Sequence, residues 1–328
     1  MTETSETIDI LLSTFNGEKY LREQLDGIIA QTYTNWKLVI RDDGSDDGTE
    51  TILKEYCNNY PGKIILAEDG FGNLGYKNSF AKLMLISTAD YILFSDQDDY
   101  WHPDKIQILL DEMRFKEKTE GNKPLLMCCD LAICDEKLNV LEPSYFHYIR
   151  FKQNQGQQSI LLASQLHGCA FLFNRRLLQL CNKIIHPVNG LNDFLINGHD
   201  NFLSVVCALT GNIHYINKSL IKHRIHGANS WGFSETREKS ILVQLKTLVK
   251  YVFNNKAYRD LAYSKKIKEN KQVINAVMQL EGIKVPEIFK FFESIDGSGY
   301  FRRKYLNAVS PFVMHYSFMD KIVYIACF

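Results

Sequence analysis

Between residues 8 and 95, short apolar runs alternate with stretches of helical period, and each apolar run ends in a polar cluster. Ile8 to Ser13 ends at Thr14-Phe15-Asn16-Gly17, and Trp36 to Ile40 ends at Arg41-Asp42-Asp43-Gly44-Ser45-Asp46-Asp47-Gly48-Thr49. Lys63 to Ala67 precedes Asn73-Leu74-Gly75, and Tyr91 to Ser95 runs into Asp96-Gln97-Asp98-Asp99. Between them, Glu18–Gln31, Glu50–Asn58 and Tyr76–Ser87 carry apolar residues at helical spacing. Strands alternating with helices in this way predict an α/β sheet. All four polar clusters then share the C-terminal strand edge, where ligands bind in open α/β sheets.

The acidic run is the strongest chemical signal. Asp96, Asp98 and Asp99 lie within four positions and would repel one another without a cation. Oxygen ligands of this kind suit Mg2+ or Mn2+, which commonly share them with phosphate. A solvated acidic turn is the alternative. In the second cluster a carboxylate can accept a nucleobase N–H while the glycines let backbone approach a ligand. Capping of the next helix by Asp46 or Asp47 is expected beside it. This second cluster contains neither GxGxxG nor GxxxxGK[ST], which argues against a dinucleotide fold and a P-loop NTPase.

With 38 basic against 38 acidic residues the net charge is zero, so no global field points to nucleic acid. Acidic residues cluster before about residue 112 and basic ones past about 235. Eight cysteines without a CxxC pair read as reduced core thiols. Residues 1–7 do not resemble a signal peptide, and no apolar run reaches the roughly 18 residues of a spanning helix. A cytoplasmic protein is expected.

Further along, Leu125 to Cys134 reads as a buried strand and Tyr145 to Ser159 as a Gln-rich loop. Gly168 to Asn174 reads as a strand, Arg175 to Cys181 and Asp200 to Leu209 as helices, and Asn212 to Ile225 as one or two strands. Past Trp231 the pattern turns helical, which places a boundary near 232 between a catalytic domain (1–232) and a helical extension (233–328). The extension's basic and aromatic mix fits peripheral contact with anionic headgroups at the inner face of the plasma membrane. A bundle packed on the first domain is the alternative.

Taken in order, Ser13-Thr14-Phe15-Asn16, Asp42-Asp43-Gly44-Ser45, Asn73-Leu74-Gly75 and Asp96-Gln97-Asp98-Asp99 resemble the family 2 glycosyltransferases. The wording around Phe94 to Trp101 and Lys105-Ile106 is closest to the bacterial rhamnosyltransferase-like branch. The resemblance implies a GT-A fold with a helical C-terminal extension, inverting chemistry and a nucleotide-sugar donor. It implies that Ser13, Thr14 and Phe15 line the base pocket, that Asp43 holds the base, and that Lys77 lies near base or phosphates. Asp96 would approach the ribose, Asp98 would bind the metal, and Asp99 would support that site or face the donor sugar.

Asn197-Gly198-His199-Asp200-Asn201-Phe202 matches the segment that carries the family's base, with His199 where Glu is usual, and so implies Asp200 as base. Gly198-His199-Asp200 before an apolar helix is also good capping sequence. His223-Arg224-Ile225-His226-Gly227-Ala228-Asn229-Ser230 resembles the element that closes the catalytic domain. It implies His226 as a second metal ligand and Arg224 at the donor phosphates, although His223 stands where Tyr is common. His167 and Trp101 are candidate sugar contacts, with core packing as the alternative for each.

The expectation is a metal-dependent hexosyltransferase moving a sugar, dTDP-rhamnose being the first donor to try, to a hydroxyl of a surface-polysaccharide or lipid-linked glycan. A sugar nucleotidyltransferase and a nucleotide-sugar-binding protein without catalysis are the rivals. Against the former, Ser13 to Glu18 has no basic residue before Lys19.

Overall fold

The computed structural model describes residues 6–149, 151, 160, 166–185, 198–227 and 270–280. The boundary at 232 and most of the expected C-terminal extension lie outside them. Four parallel strands build one half of a single sheet: β1 (Ile8–Thr14), β2 (Trp36–Asp42), β3 (Ile64–Leu66) and β4 (Tyr91–Ser95). They are joined by α1 (Leu21–Ile29), α2 (Thr49–Asn59) and α3 (Tyr76–Ile86). β1 and β4 are buried almost throughout, as continuous apolar runs must be when a parallel sheet is covered on both faces.

The sheet continues through β8 (Phe171–Asn174), β6 (Leu125–Cys134), β9 (Asn212–Arg224) and β5 (Tyr100–Trp101), in the order β3-β2-β1-β4-β8-β6-β9-β5. The short β7 (Val140–Glu142) pairs with β6. β8 runs antiparallel to both β4 and β6, whereas β6 and β9 are parallel. Helices α4 (Lys105–Glu120), α5 (Tyr145–Tyr148), α6 (Arg175–Ile185) and α7 (His199–Thr210) follow, and a 3-10 turn at Gly168–Ala170 takes the first part of the strand expected over 168–174.

The sheet brings ends that are distant in sequence to one edge. β1, β2 and β4 all terminate there, and β9 returns antiparallel to β5 beside the acidic run. Asp200 enters the same edge from the first turn of α7. Residues 270–280 contribute Val273, Ile274 and Val277 to the same core, and Asn270 accepts a bond from Asn201 in α7 (3.0 Å). This part of the expected extension is packed on the sheet domain.

Three local differences from the sequence reading have simple causes. α4 was not anticipated, yet Ile106, Leu109, Leu110 and Met113 are its buried face at helical spacing. The expected loop from 145 begins instead with a single helical turn, capped by Ser144, whose hydroxyl accepts from His147 N. Asn212 to Arg224 is one strand, whose register against β6 shifts around Asp130.

Asn174 pins the junction of β8, β6, α4 and α6. Its carbonyl accepts from Leu125 N (3.1 Å) and Leu177 N (3.2 Å), and its amide donates to Lys123 O (2.8 Å) and Glu117 (3.0 Å). All four bonds form at a site only 3% exposed. Truncation would strand buried backbone groups at about 1–3 kcal/mol each. Asn174→Ala is expected to lower unfolding free energy by about 3 kcal/mol in urea titrations. Asn174→Asp, which keeps the acceptors but sets a buried carboxylate oxygen against Glu117 and Lys123 O, should lose at least as much.

Candidate active site

The loops after β1 and β2 hold each other. Asn16 N donates to Ser45 Oγ (2.9 Å), Asp46 N to Asn16 Oδ1 (2.9 Å) and Gly17 N to Thr49 Oγ1 (2.8 Å). Glu18 N donates to Asp47 (3.1 Å), and Gly48 N to Glu18 (2.8 Å). Much of the acidic second cluster is therefore architecture. The cap position of α2 is Gly48, without a side-chain cap, rather than Asp46 or Asp47. Asp47 instead accepts from Thr49 N in the first turn (2.9 Å).

Asp43 is 2% exposed and its carboxylate takes four protein donors. Leu74 N, Ser79 Oγ (both 2.8 Å) and the Arg41 guanidinium reach Oδ1, and Gly75 N reaches Oδ2 (2.8 Å). Arg41, 1% exposed, also donates to Asp69 (2.8 Å) and to Gly72 O (3.1 Å). This pair folds the 69–75 loop over the end of β2, and only Oδ2 of Asp43 keeps capacity for a further donor. Removing one partner of a buried pair leaves the other charge uncompensated, at about 3–5 kcal/mol. Arg41→Met is expected to destabilise by that amount in chemical denaturation, and Asp43→Asn by less.

Gln97, the middle residue of the acidic run, was given no role by sequence reasoning. Its Oε1 accepts from Thr14 Oγ1 (2.6 Å) and Phe15 N (2.9 Å), and its amide donates to Phe15 O (3.1 Å). It bolts the loop after β1 to the carboxylates after β4. Ser13 and Thr14 end β1, and Phe15 is 45% exposed beside them. An amide flanked by two carboxylates is the only signal that could have marked Gln97 in the sequence.

The three carboxylates differ sharply. Asp99 is fully buried and bonds His223 Nδ1 (2.8 Å). Burial pushes its carboxyl up, but the imidazole charge outweighs this and holds it below the usual range. Burial likewise opposes charge on His223, and Asp99 overrides it, pushing the imidazole up to about 9. Asp99, Cys169 and His223 form a buried group whose ligand atoms lie within 4.8 Å of one another. An Asp–His ion pair already balances the charge there. Asp96 is pushed up to about 8 by burial and by Asp99 and Asp98. Asp98 is raised by the same causes and lies 2.8 Å from His226 Nε2. Asp96 and Asp98 are thus the carboxyls that resist ionising together unless a cation joins them. A carboxylate oxygen and an imidazole nitrogen side by side there fit a divalent cation.

Several expected contacts prove to be internal. Trp101 is 0% exposed and cannot touch a sugar. Its ring lies under Lys105 Nζ (3.1 Å to the centroid), which donates to Cys169 O (2.7 Å). With its amide oriented to satisfy both polar atoms, Gln24 accepts from Trp101 Nε1 (3.1 Å) and donates to Asp99 O (2.6 Å). Burial lowers Lys105 to about 8. Asp99 is equally closed to a donor sugar and supports the site instead. Arg224 is 2% exposed, and its guanidinium binds Asp98 O (2.9 Å), Glu136 O and Glu23, so it clamps the acidic loop rather than facing phosphate. Half-buried His167 packs against the rings of Tyr145 (4.7 Å) and His223 (5.2 Å), and burial lowers it to about 3. Half-buried Lys77 lies in the first turn of α3, its Nζ 5.8 Å from the Tyr76 ring.

Asp200 is partly exposed, in the first turn of α7. The cap position belongs to Gly198 (φ 102°), so Asp200 is not the N-cap. A methyl at Gly198 would lie 2.7 Å from Asp200 Oδ1, and one at Gly168 would meet His199 Nε2 at 2.5 Å. His199 is a buried wedge stacked on Phe80 (3.8 Å) and edge-on to Phe94 (4.8 Å), and burial lowers it to about 3. That packing accounts for an aromatic ring where the resemblance expects Glu.

A carboxylate cluster at the end of β4, flanked by loops from β1 and β2 and faced by Asp200 from α7, defines a GT-A α/β architecture. TarS of S. aureus, residues 1–349 with UDP, shares this fold over 98% of this chain and 78% of its own (TM-score 0.52, 13% identity). Within that class, the model of glycosyl transferase family 2 matches residues 9–123. A glycosyltransferase of Rickettsia prowazekii is 28% identical over 235 residues, 69% of this chain and 66% of the relative. The chain thus spans just under two thirds of that relative's length. The dTDP-rhamnosyl transferase RfbG of Shigella flexneri is also 28% identical, over 67% of this chain and 73% of its own length.

Proposed function

We propose that the protein transfers a sugar, with inversion, from a nucleoside-diphosphate donor to a hydroxyl of a surface-polysaccharide or lipid-linked acceptor. The observation that carries this reading is the pairing of Asp98 with His226 (2.8 Å) on one side of the edge and a partly exposed Asp200 on the other. dTDP-rhamnose is the first donor to try, supported by the resemblance to RfbG.

Asp98 and His226 would hold Mg2+ or Mn2+, which when bound neutralises charge on the departing diphosphate. Ser13, Thr14, Phe15 and the Asp43-held loop form the nucleotide end, with Lys77 at its rim and Asp96 toward the ribose. Asp200 accepts the proton of the acceptor hydroxyl as that oxygen attacks the anomeric carbon from the face opposite the leaving group. His199, held neutral by its aromatic stack, keeps Asp200 in place without competing for the proton. The catalytic unit corresponds to residues 1–232, and the sequence beyond it is assigned to acceptor handling near the membrane. Among the described residues no helix is long and apolar enough to cross a membrane, which fits peripheral contact.

A thermal-shift screen of dTDP-, UDP- and GDP-sugars, with and without Mn2+, tests the donor. One base is expected to raise Tm only with the cation, and Asp98→Ala to abolish that dependence. Asp200→Asn should bind donor normally and lower kcat roughly 10²–10⁴-fold, the usual contribution of a general base. Unchanged transfer in both variants rules the mechanism out, and formation of a sugar nucleotide from sugar phosphate and NTP would make the protein a nucleotidyltransferase.

A further inference from the structure

Tyr76 opens α3 directly after Gly75, whose φ of 77° turns the chain out of the Asp43-held loop. It is the first side chain beyond the nucleotide end on the way to Asp200. One edge of its ring meets the buried His199 ring (centroids 6.2 Å, 79° between planes), while 46% of the residue remains exposed. A methyl on Gly198 would lie 3.8 Å from the Tyr76 hydroxyl oxygen and 2.7 Å from Asp200 Oδ1, so both oxygens flank one backbone atom. Burial, with the charges of Asp200 and Asp96 acting on the same hydroxyl, raises its pKa. The group therefore stays a neutral O–H donor.

On the reaction proposed above, the diphosphate leaves beside Asp98 and the acceptor oxygen arrives beside Asp200. The ring being transferred must lie between them, and this is the gap that Tyr76 borders. We infer that Tyr76 is a specificity-determining contact to the transferred sugar, its hydroxyl donating to a ring hydroxyl and its exposed face covering the ring. The ring keeps its place through His199, so the contact is built on the same wedge that positions Asp200. Donor sugar and base are thereby indexed to one buried imidazole.

The inference rests on the proposed function, and binding separates the two. Calorimetric titrations with Mn2+ compare dTDP with dTDP-rhamnose, UDP with UDP-N-acetylglucosamine, and GDP with GDP-mannose on wild type and Tyr76→Phe. Wild type is expected to bind one pair. Tyr76→Phe should bind that nucleoside diphosphate as wild type does and its sugar nucleotide roughly three- to ten-fold more weakly, the worth of one neutral hydrogen bond. Tyr76→Leu, which also removes the ring face, should widen that gap. Equal binding of the sugar nucleotide by wild type and Tyr76→Phe, or equal weakening of both ligands, overturns the role of Tyr76 and leaves the transferase reading standing. Failure of wild type to bind any of the six overturns the transferase reading, and the inference with it.

Discussion

Three carboxylates at the end of one strand are an electrostatic problem that the surrounding fold is organised to manage. Asp99, the innermost, is neutralised for good by His223, with Lys105 held beneath it on the Trp101 face. Asp98 has His226 as a neighbour, and Asp96 has no cation of comparable strength, so its carboxyl is pushed up. Charge compensation thus thins from the core outward. What remains unbalanced is at the rim, where a soluble cation can reach it.

The same gradient explains why residues of one chemical type serve different ends. His223 is held as an imidazolium by Asp99, His199 is a buried aromatic wedge, and His226 is a partly buried ring 2.8 Å from Asp98. Arg41 and Arg224 are both nearly inaccessible, and each ties a loop to the strand edge. Both guanidiniums shape the walls of the edge rather than facing out of it.

The parallel half of the sheet was legible from residues 8–95, because buried parallel strands leave continuous apolar runs and their helices a clear period. α4 was legible too, in Ile106, Leu109, Leu110 and Met113, but the acidic run beside it drew the eye. The partnerships were not legible. Arg41 lies in β2 and Asp43 just past its end, and nothing in that spacing says that their bonds go to residues 69–79. Trp101 and Arg224 read as ligand contacts because aromatic and guanidinium groups often are. Only the fold reveals Gln24, Lys105, Glu136 and Glu23 as their partners. The Gln97 bonds to the Phe15 backbone join segments 82 residues apart and leave no periodic trace.

That last connection has a consequence for how ligands arrive. Because Gln97 grips both the carbonyl and the N–H of Phe15, the loop after β1 and the acidic loop after β4 cannot shift separately; on the proposed function these lie beneath the base and the cation. Whatever stiffens one lowers the entropic cost of ordering the other, and the free energy of that coupling is the same in both directions. Nucleotide and metal should therefore bind with positive cooperativity, each raising the affinity for its companion, even though neither need touch the amide that links them.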